Sequence, residues 1–425
     1  MKFPVNKFMA GLLLAFGSAV VASTAHAALV TIACGGNDED TAICKKHTDA
    51  WATKTGNTVK LFTPPSNSTE ALALYRQIFA AKAADLDIVM VDIVWPGVLK
   101  DHLVDLKKYS KGAEKEHFPS IVANNTIGGK LLGMPLFTDA GLLFYRKDLL
   151  EKYKVKAPSS WEDLSASAKT VQDGERAAGN ADFQGFVFQA KAYEGLACNA
   201  VEWIASYGGG SIVDSAGKVT INNPSAIKAI NTAASWIGTI APAGVLNYGE
   251  EEARGVFQSG NALYLRNWPY AWSLAQGADS PIKDKVGVLP LPKGGANGKN
   301  SATLGGWQLS VSKYSKSVDA AADLVMYMTS EPIQKERAIL RSLNPTRPAL
   351  YKDKDVLAAN PFMGSLFDVF SNSVARPATV TGLKYPEVSQ AFWDATHEVL
   401  SKKSTAEVSF KRLEGRLAQI KRNQW

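Results

Sequence analysis

Short apolar runs alternate with helical stripes from residue 29 onward. LVTIA (29–33), NTVKLF (57–62) and DIVMV (87–91) are brief and rich in β-branched residues, which predicts buried strands. Between them DEDTAICKKHTDAWATKT predicts a helix stopped by Gly56, and TEALALYRQIFAAKA predicts another, capped by Ser68. Strand, helix, strand, helix, strand is the opening of a parallel sheet with right-handed crossovers.

Farther along, KLLGMPLFTDAGLLFYRKDLLEKY predicts short strands running into a helix, and PSSWEDL sets Ser159 and Glu162 at capping-box spacing. FQGFVFQ reads as a strand, YEGLACNAVEWIASYGGG as a helix, SIVDSAGKVTI as a hairpin, and NPSAIKAINTAASWIG as a helix with Pro224 at its first position. A helix near 249–259, strands in ALYL and VGVLPLP, and the segment TLGGWQLSVS follow, and the last hundred residues are mainly helical. Trp51, Trp203, Trp236 and Trp393 fall inside helices and read as core. Mixed elements without an internal repeat indicate an α/β fold, and 425 residues exceed one core, which predicts two lobes.

In open parallel sheets, ligands sit beyond the carboxyl ends of the strands, near a switch in strand order. That rule selects three loops: CGGNDED after the first strand, PPSNS after the second, and Asp92 to Trp95 after the third. Asp92 sits where a buried strand ends, and a buried charge needs partners.

Hydrophobic content of 46% and charged content of 20% are ordinary for a soluble chain. The first residues differ. Lys2 and Lys7 precede FMAGLLLAFGSAVVA, and AHA at 25–27 offers small residues around a cleavage point, which predicts a secretory signal peptide cut after Ala27 and a periplasmic product. A lipoprotein would acylate Cys34, but Thr31 is polar where an aliphatic residue is wanted. Losing Lys2 and Lys7 lowers the net charge from +7 to +5, a mild excess. The densest basic stretch, FKRLEGRLAQIKR, carries Phe410, Leu413, Leu417 and Ile420 at helical spacing and reads as a docked helix with a solvated face, so nucleic acid is not an expected partner. Three cysteines in an oxidising compartment suggest one disulfide, with Cys34 and Cys44 the near pair. The alternative is that all three are small core residues.

Much catalytic chemistry is missing. His47, His102, His117 and His397 are not paired at ligand spacing, so no metal site is expected, and no G-x-S-x-G elbow occurs. GGANGKNS lacks the first glycine spacing of a phosphate loop and has Asn300 where Ser or Thr would ligate magnesium, so it reads as a surface turn. No cofactor is expected.

What the chain has in excess is aromatic rings beside charged groups at loop positions. Asp92 lies near Trp95, Asp139 follows Phe137, Trp268 and Tyr270 crowd into NWPYAW, Trp307 follows Gly305 and Gly306, and Arg376 precedes Pro377. A pyranose asks for this combination, since its hydroxyl rim takes charge-assisted hydrogen bonds and its C–H face stacks on flat rings. Among Asp38, Glu39 and Asp40, acids are favoured at a helix start in any case.

At YRKDLLEKYKVKAPSSWEDL (145–164), YEGL, NWPYAW and LGGWQLSVS the chain resembles the periplasmic solute-binding proteins of ABC sugar importers, in particular the trehalose and maltose branch. The resemblance implies the two-lobed type II periplasmic-binding-protein fold, each lobe a mainly parallel sheet flanked by helices. The lobes would comprise 28–137 with about 305–350, and 138–304 with about 360–425. Hinge crossings would fall near Thr138, near Gly305 and within 345–375. By position it implies Asp92 and Asp139 as hydroxyl acceptors, with Asp40 and then Glu39 as the acid from the first loop. Trp268, Tyr270 and Trp307 would stack, Gly306 would give a backbone contact and Arg376 a donor, and Phe137 stands where relatives tend to have tyrosine. Function would be capture of a disaccharide or short oligosaccharide by closure of a monomer, then delivery to inner-membrane permease subunits, without catalysis. Two other readings stand beside it: a secreted glycoside hydrolase using Asp92 and Asp139, and the same fold holding a polyamine or ferric ion.

Overall fold

The computed structural model describes Met1, residues 27–371 and residues 373–425, so the expected leader, apart from its two ends, lies outside the described residues. Nine strands build two sheets: β1 (Leu29–Ala33), β2 (Thr58–Phe62), β3 (Ile88–Asp92), β4 (Met134–Ala140), β5 (Leu142–Arg146), β6 (Gln184–Val187), β7 (Ala262–Asn267), β8 (Val286–Pro290) and β9 (Leu304–Val311). The first sheet runs β2-β1-β3-β9-β4 and the second β8-β5-β7-β6. In the first, β9 runs against both neighbours, and in the second β5 does. Most strands of each sheet thus share a direction, while the pairs made by the returning strand are antiparallel.

Ten longer helices cover these sheets: α1 (Asp38–Thr55), α2 (Ser68–Ala80), α3 (Trp161–Ala177), α4 (Glu194–Ser206), α5 (Pro224–Trp236), α6 (Glu250–Gln258), α7 (Val318–Met328), α8 (Glu331–Arg341), α9 (Tyr385–Leu400) and α10 (Ala406–Lys421). Strand β3 shows why both faces need cover. Ile88 and Met90 enter one apolar cluster and Val89 and Val91 the other, as the two-residue period of a strand requires. The second sheet has one large core in which Trp161, Trp203, Trp236, Phe186 and Phe188 pack ring to ring, with centroids 4.8–6.3 Å apart. Trp51, Trp203, Trp236 and Trp393 are all buried. On α10, Phe410, Leu413, Leu417 and Ile420 face inward.

Local chemistry departs from the sequence reading at three places. Asn67 rather than Ser68 caps α2, its side chain accepting the N–H groups of Thr69 and Glu70. The capping box of α3 joins Ser160 and Asp163, one residue past the expected pair, because the helix begins at Trp161; Glu162 accepts from the Tyr207 hydroxyl at 2.9 Å instead. The segment 211–221 makes one bridge, Val213 to Val219, rather than a full hairpin.

The chain passes from the first sheet to the second at Gly141, between β4 and β5. A side chain there would strike Glu202 and Arg266, whose fully buried ion pair lies under the crossing. The return runs through Thr303, whose N–H reaches Glu202 at 3.0 Å and which bridges Val374. Asn344 pairs with Thr138 beside these crossings.

Candidate ligand-binding cleft

Between the two sheets lies a cleft of about 1270 Å³, its open mouth included. All three loops selected by the strand-end rule line it. Gly35, Gly36, Asn37 and Asp40 follow β1, Pro64 to Ser68 follow β2, and Asp92 ends β3. The first loop is anchored by the Cys34–Cys44 disulfide, with Cα atoms 6.3 Å apart, and by Asn37, which accepts the Asp40 N–H at 2.9 Å.

Sheet register assembles the next part. Trp307 on β9 pairs with Asp92 on β3 and with Phe137 on β4, so three site residues form one row across neighbouring strands. Gly305 pairs with Asp139, and a Cβ on Gly305 would stand 3.2 Å from both Asp139 and the Trp268 ring. Gly306 adopts φ +132°, and a Cβ there would lie 2.8 Å from the Phe137 carbonyl oxygen. Both glycines let three backbones and an indole meet at the cleft floor.

The second sheet supplies aromatic groups already held by acids. The half-buried Trp268 ring rests on the Arg266 guanidinium at 4.0 Å, and its Nε1–H donates to Glu250 at 3.3 Å. The Tyr193 hydroxyl donates to the other Glu250 oxygen at 2.6 Å, and the Tyr270 hydroxyl to Glu251 at 2.6 Å. Burial, reinforced by these carboxylates, holds both phenols well above their ordinary range, so they stay protonated donors. Arg266 is itself fixed by Glu202 and by Gln189 at 3.1 Å.

Asp139 is 6% exposed, and among the described residues no protein hydrogen bond reaches its carboxylate. Burial, with the charges of Asp40 and Asp92 added, pushes it up to about 7, while Arg266 pulls the other way. Asp92 is also pushed up by burial, against the pull of Arg376. Its Oδ1 accepts from Arg376 Nη2 at 3.1 Å and from the Val94 N–H at 3.1 Å. Asp40 accepts from Arg341 Nε at 3.1 Å.

Asp40, Asp92, Phe137, Asp139, Trp268, Tyr270, Gly306, Trp307 and Arg376 therefore meet on one cleft. Two of the expected residues do not. Trp95 is 2% exposed and packs edge-on behind Trp307 with centroids 5.3 Å apart, so it supports the wall without lining it. Glu39, in the first turn of α1, is exposed and outside the lining, whereas its neighbour Asp40 faces the cleft. Sequence reasoning missed Tyr193, Glu194, Glu250 and Glu251, which also line the cleft. The acidic first turn of α6 carries the same signal as residues 38–40, and the resemblance at YEGL assigns no role to Tyr193 or Glu194.

Two sheet-centred lobes with a polar and aromatic cleft between them define a binding protein of the two-lobed kind. Residues 37–335 match the family model described as bacterial extracellular solute-binding protein. A probable ABC transporter-binding protein of Deinococcus radiodurans is 55% identical across 99% of this chain and 100% of its own. The solved structure of maltose-bound T. maritima MalE3 is 39% identical with a TM-score of 0.88, covering 93% of this chain and 100% of that one. The GacH receptor of Streptomyces glaucescens, solved unliganded and with acarbose, has a TM-score of 0.83 at 22% identity over 94% and 100% of the two chains, a likeness of fold alone. The chain belongs to the bacterial extracellular solute-binding protein family. That family comprises transport binding proteins rather than enzymes, so the glycoside hydrolase reading falls away.

Proposed function

We propose that this protein captures a disaccharide or short oligosaccharide of the maltose, trehalose or sucrose type in the periplasm. Closure of the lobes then delivers it to the inner-membrane permease subunits of an ABC importer. The observation that carries this is the meeting on one floor of half-buried rings and an acid with no hydrogen-bond partner among the described residues: Asp139 beside Trp268, with Asp92, Trp307 and Phe137 in one row. The acids accept from the hydroxyl rim, Trp268, Trp307, Tyr270 and Phe137 stack on the C–H faces, and Gly306 offers main-chain contact. Arg376 Nε, which no acceptor among the described residues reaches, donates. The maltose carried by the T. maritima relative is consistent with this choice. No covalent bond is made or broken; only the closed state satisfies both walls at once.

The proposed lobes are 28–137 with about 305–350, and 138–304 with about 360–425, the protein acting as a monomer after removal of 1–27. Among the described residues no helix is long and apolar enough to cross a membrane. Titration calorimetry of the mature chain with maltose, trehalose and sucrose tests the reading. Saturable binding of at least one is expected, and indifference to all three would sink it.

A further inference from the structure

Arg376 does more than offer a donor to a ligand. Its Nη2 donates to Asp92 Oδ1 at 3.1 Å and its Nη1 to Glu194 Oε1 at 2.7 Å. Asp92 ends β3 of the first sheet, whereas Glu194 opens α4, which packs into the core of the second. The guanidinium thus joins the two walls of the cleft. All three side chains are over nine-tenths buried, where such a bridge is strengthened by the low dielectric but must be fully supported.

Glu194 has that support. Its Oε1 also accepts from the Tyr385 hydroxyl, its Oε2 accepts from Ser389 Oγ at 2.7 Å, and its backbone N–H donates across the cleft to Thr69 Oγ1 at 3.2 Å. Tyr385 packs in the first-sheet cluster while the rest of α9 packs in the second, so the seam itself holds Glu194 in place. On the opposite side, Arg376 and the Val94 N–H both fall on Asp92 Oδ1, and among the described residues Oδ2 takes no protein hydrogen bond. The bridge therefore turns one oxygen of Asp92 toward the cleft.

We infer that Asp92, Arg376 and Glu194 form a latch between the lobes, and that Glu194 is its positioning residue. Glu194 fixes Arg376, Arg376 draws in Asp92, and the walls are held near their closed spacing. Its effect on affinity rests on the sugar-binding reading; its effect on lobe spacing does not.

Spin labels on Lys54→Cys near the end of α1 and Thr170→Cys on α3, both exposed, report the distance between the lobes. In the sugar-free protein, Glu194→Gln is expected to lengthen and broaden that distance distribution. Arg376→Gln should do the same, and the double variant should open no further than either alone, since both break one linkage. Maltose affinity of Glu194→Gln should fall about tenfold or more, because a charge-assisted contact no longer prearranges the site. Sugar-free distances identical to those of the parent in both single variants would overturn the latch. Should Glu194→Gln not fold, Tyr385→Phe combined with Ser389→Ala removes the support from behind, and the same distance criterion applies. If the parent binds none of the three sugars, the proposed ligand class fails, and the sugar-free distances still decide the latch.

Discussion

The two walls of the cleft are built on different plans. The first-sheet wall presents acids at strand ends, and one of them, Asp139, has no protein partner among the described residues. On the second-sheet wall the polar groups arrive already satisfied: Trp268 and Tyr193 on Glu250, Tyr270 on Glu251, Arg266 on Glu202. One wall keeps hydrogen-bonding capacity in reserve for a guest beside the rings of Trp307 and Phe137, and the other offers flat surfaces whose polar groups are already paired. A wall with reserve capacity is costly without ligand, as the raised carboxyls of Asp92 and Asp139 record. A prearranged wall costs little when empty and loses little freedom on binding.

Breaking the prearranged wall should have the largest effect. Glu202→Ala leaves the Arg266 charge fully buried without its carboxylate and should lower unfolding free energy by about 3–5 kcal/mol in a urea titration. Trp268→Ala should spare the fold and cut sugar affinity on the order of 100-fold by calorimetry, as for a large aromatic anchor. A loss of under about threefold there would show that the rings are not the anchoring wall.

Asp139→Asn sharpens the contrast because two readouts should move in opposite directions. Its carboxyl sits near 7 in the folded protein, above the ordinary 3.8, so the folded state holds the extra proton between those values. Stability of the sugar-free protein then falls as pH rises through that window. At pH 8 the asparagine variant should melt higher than the parent, and near pH 4 the difference should shrink. Its sugar affinity should drop about tenfold or more, since a charged acceptor is lost. Equal melting temperatures at pH 8 would contradict the cost assigned to the reserve wall. Smallest of all, Glu39→Gln should change affinity by less than about twofold, because Glu39 is exposed outside the lining residues.

The acid-bearing wall was the more legible in the sequence. Short apolar runs rich in β-branched residues identify β1, β2 and β3, and the strand-end rule leads from them to Asp40, Asp92 and the PPSNS loop. Trp268, Tyr270 and Trp307 stood out as rings in turns beside Pro and Gly. What escaped notice depends on contacts between distant segments. Glu250 and Glu251 look like any acidic helix start, and only the packing of α6 against β7 puts them under Trp268 and Tyr270. Glu194 lies in the YEGL segment, but nothing local shows its role, since its partners Arg376, Tyr385 and Ser389 are nearly two hundred residues away.

Periodicity and turn chemistry are local, and they alone determined the α/β elements, the disposition of core tryptophans and the loops able to carry a site. Register, burial and the crossing of the chain between sheets are set by contacts far apart in sequence. They decided that Trp95 stands behind the wall while Trp307 forms it, that Asp40 rather than Glu39 faces the cleft, and that Arg376 spans the gap between two carboxylates. The physical reason is that a side chain's role here follows from its dielectric surroundings and its partners, and those exist only once both sheets are assembled.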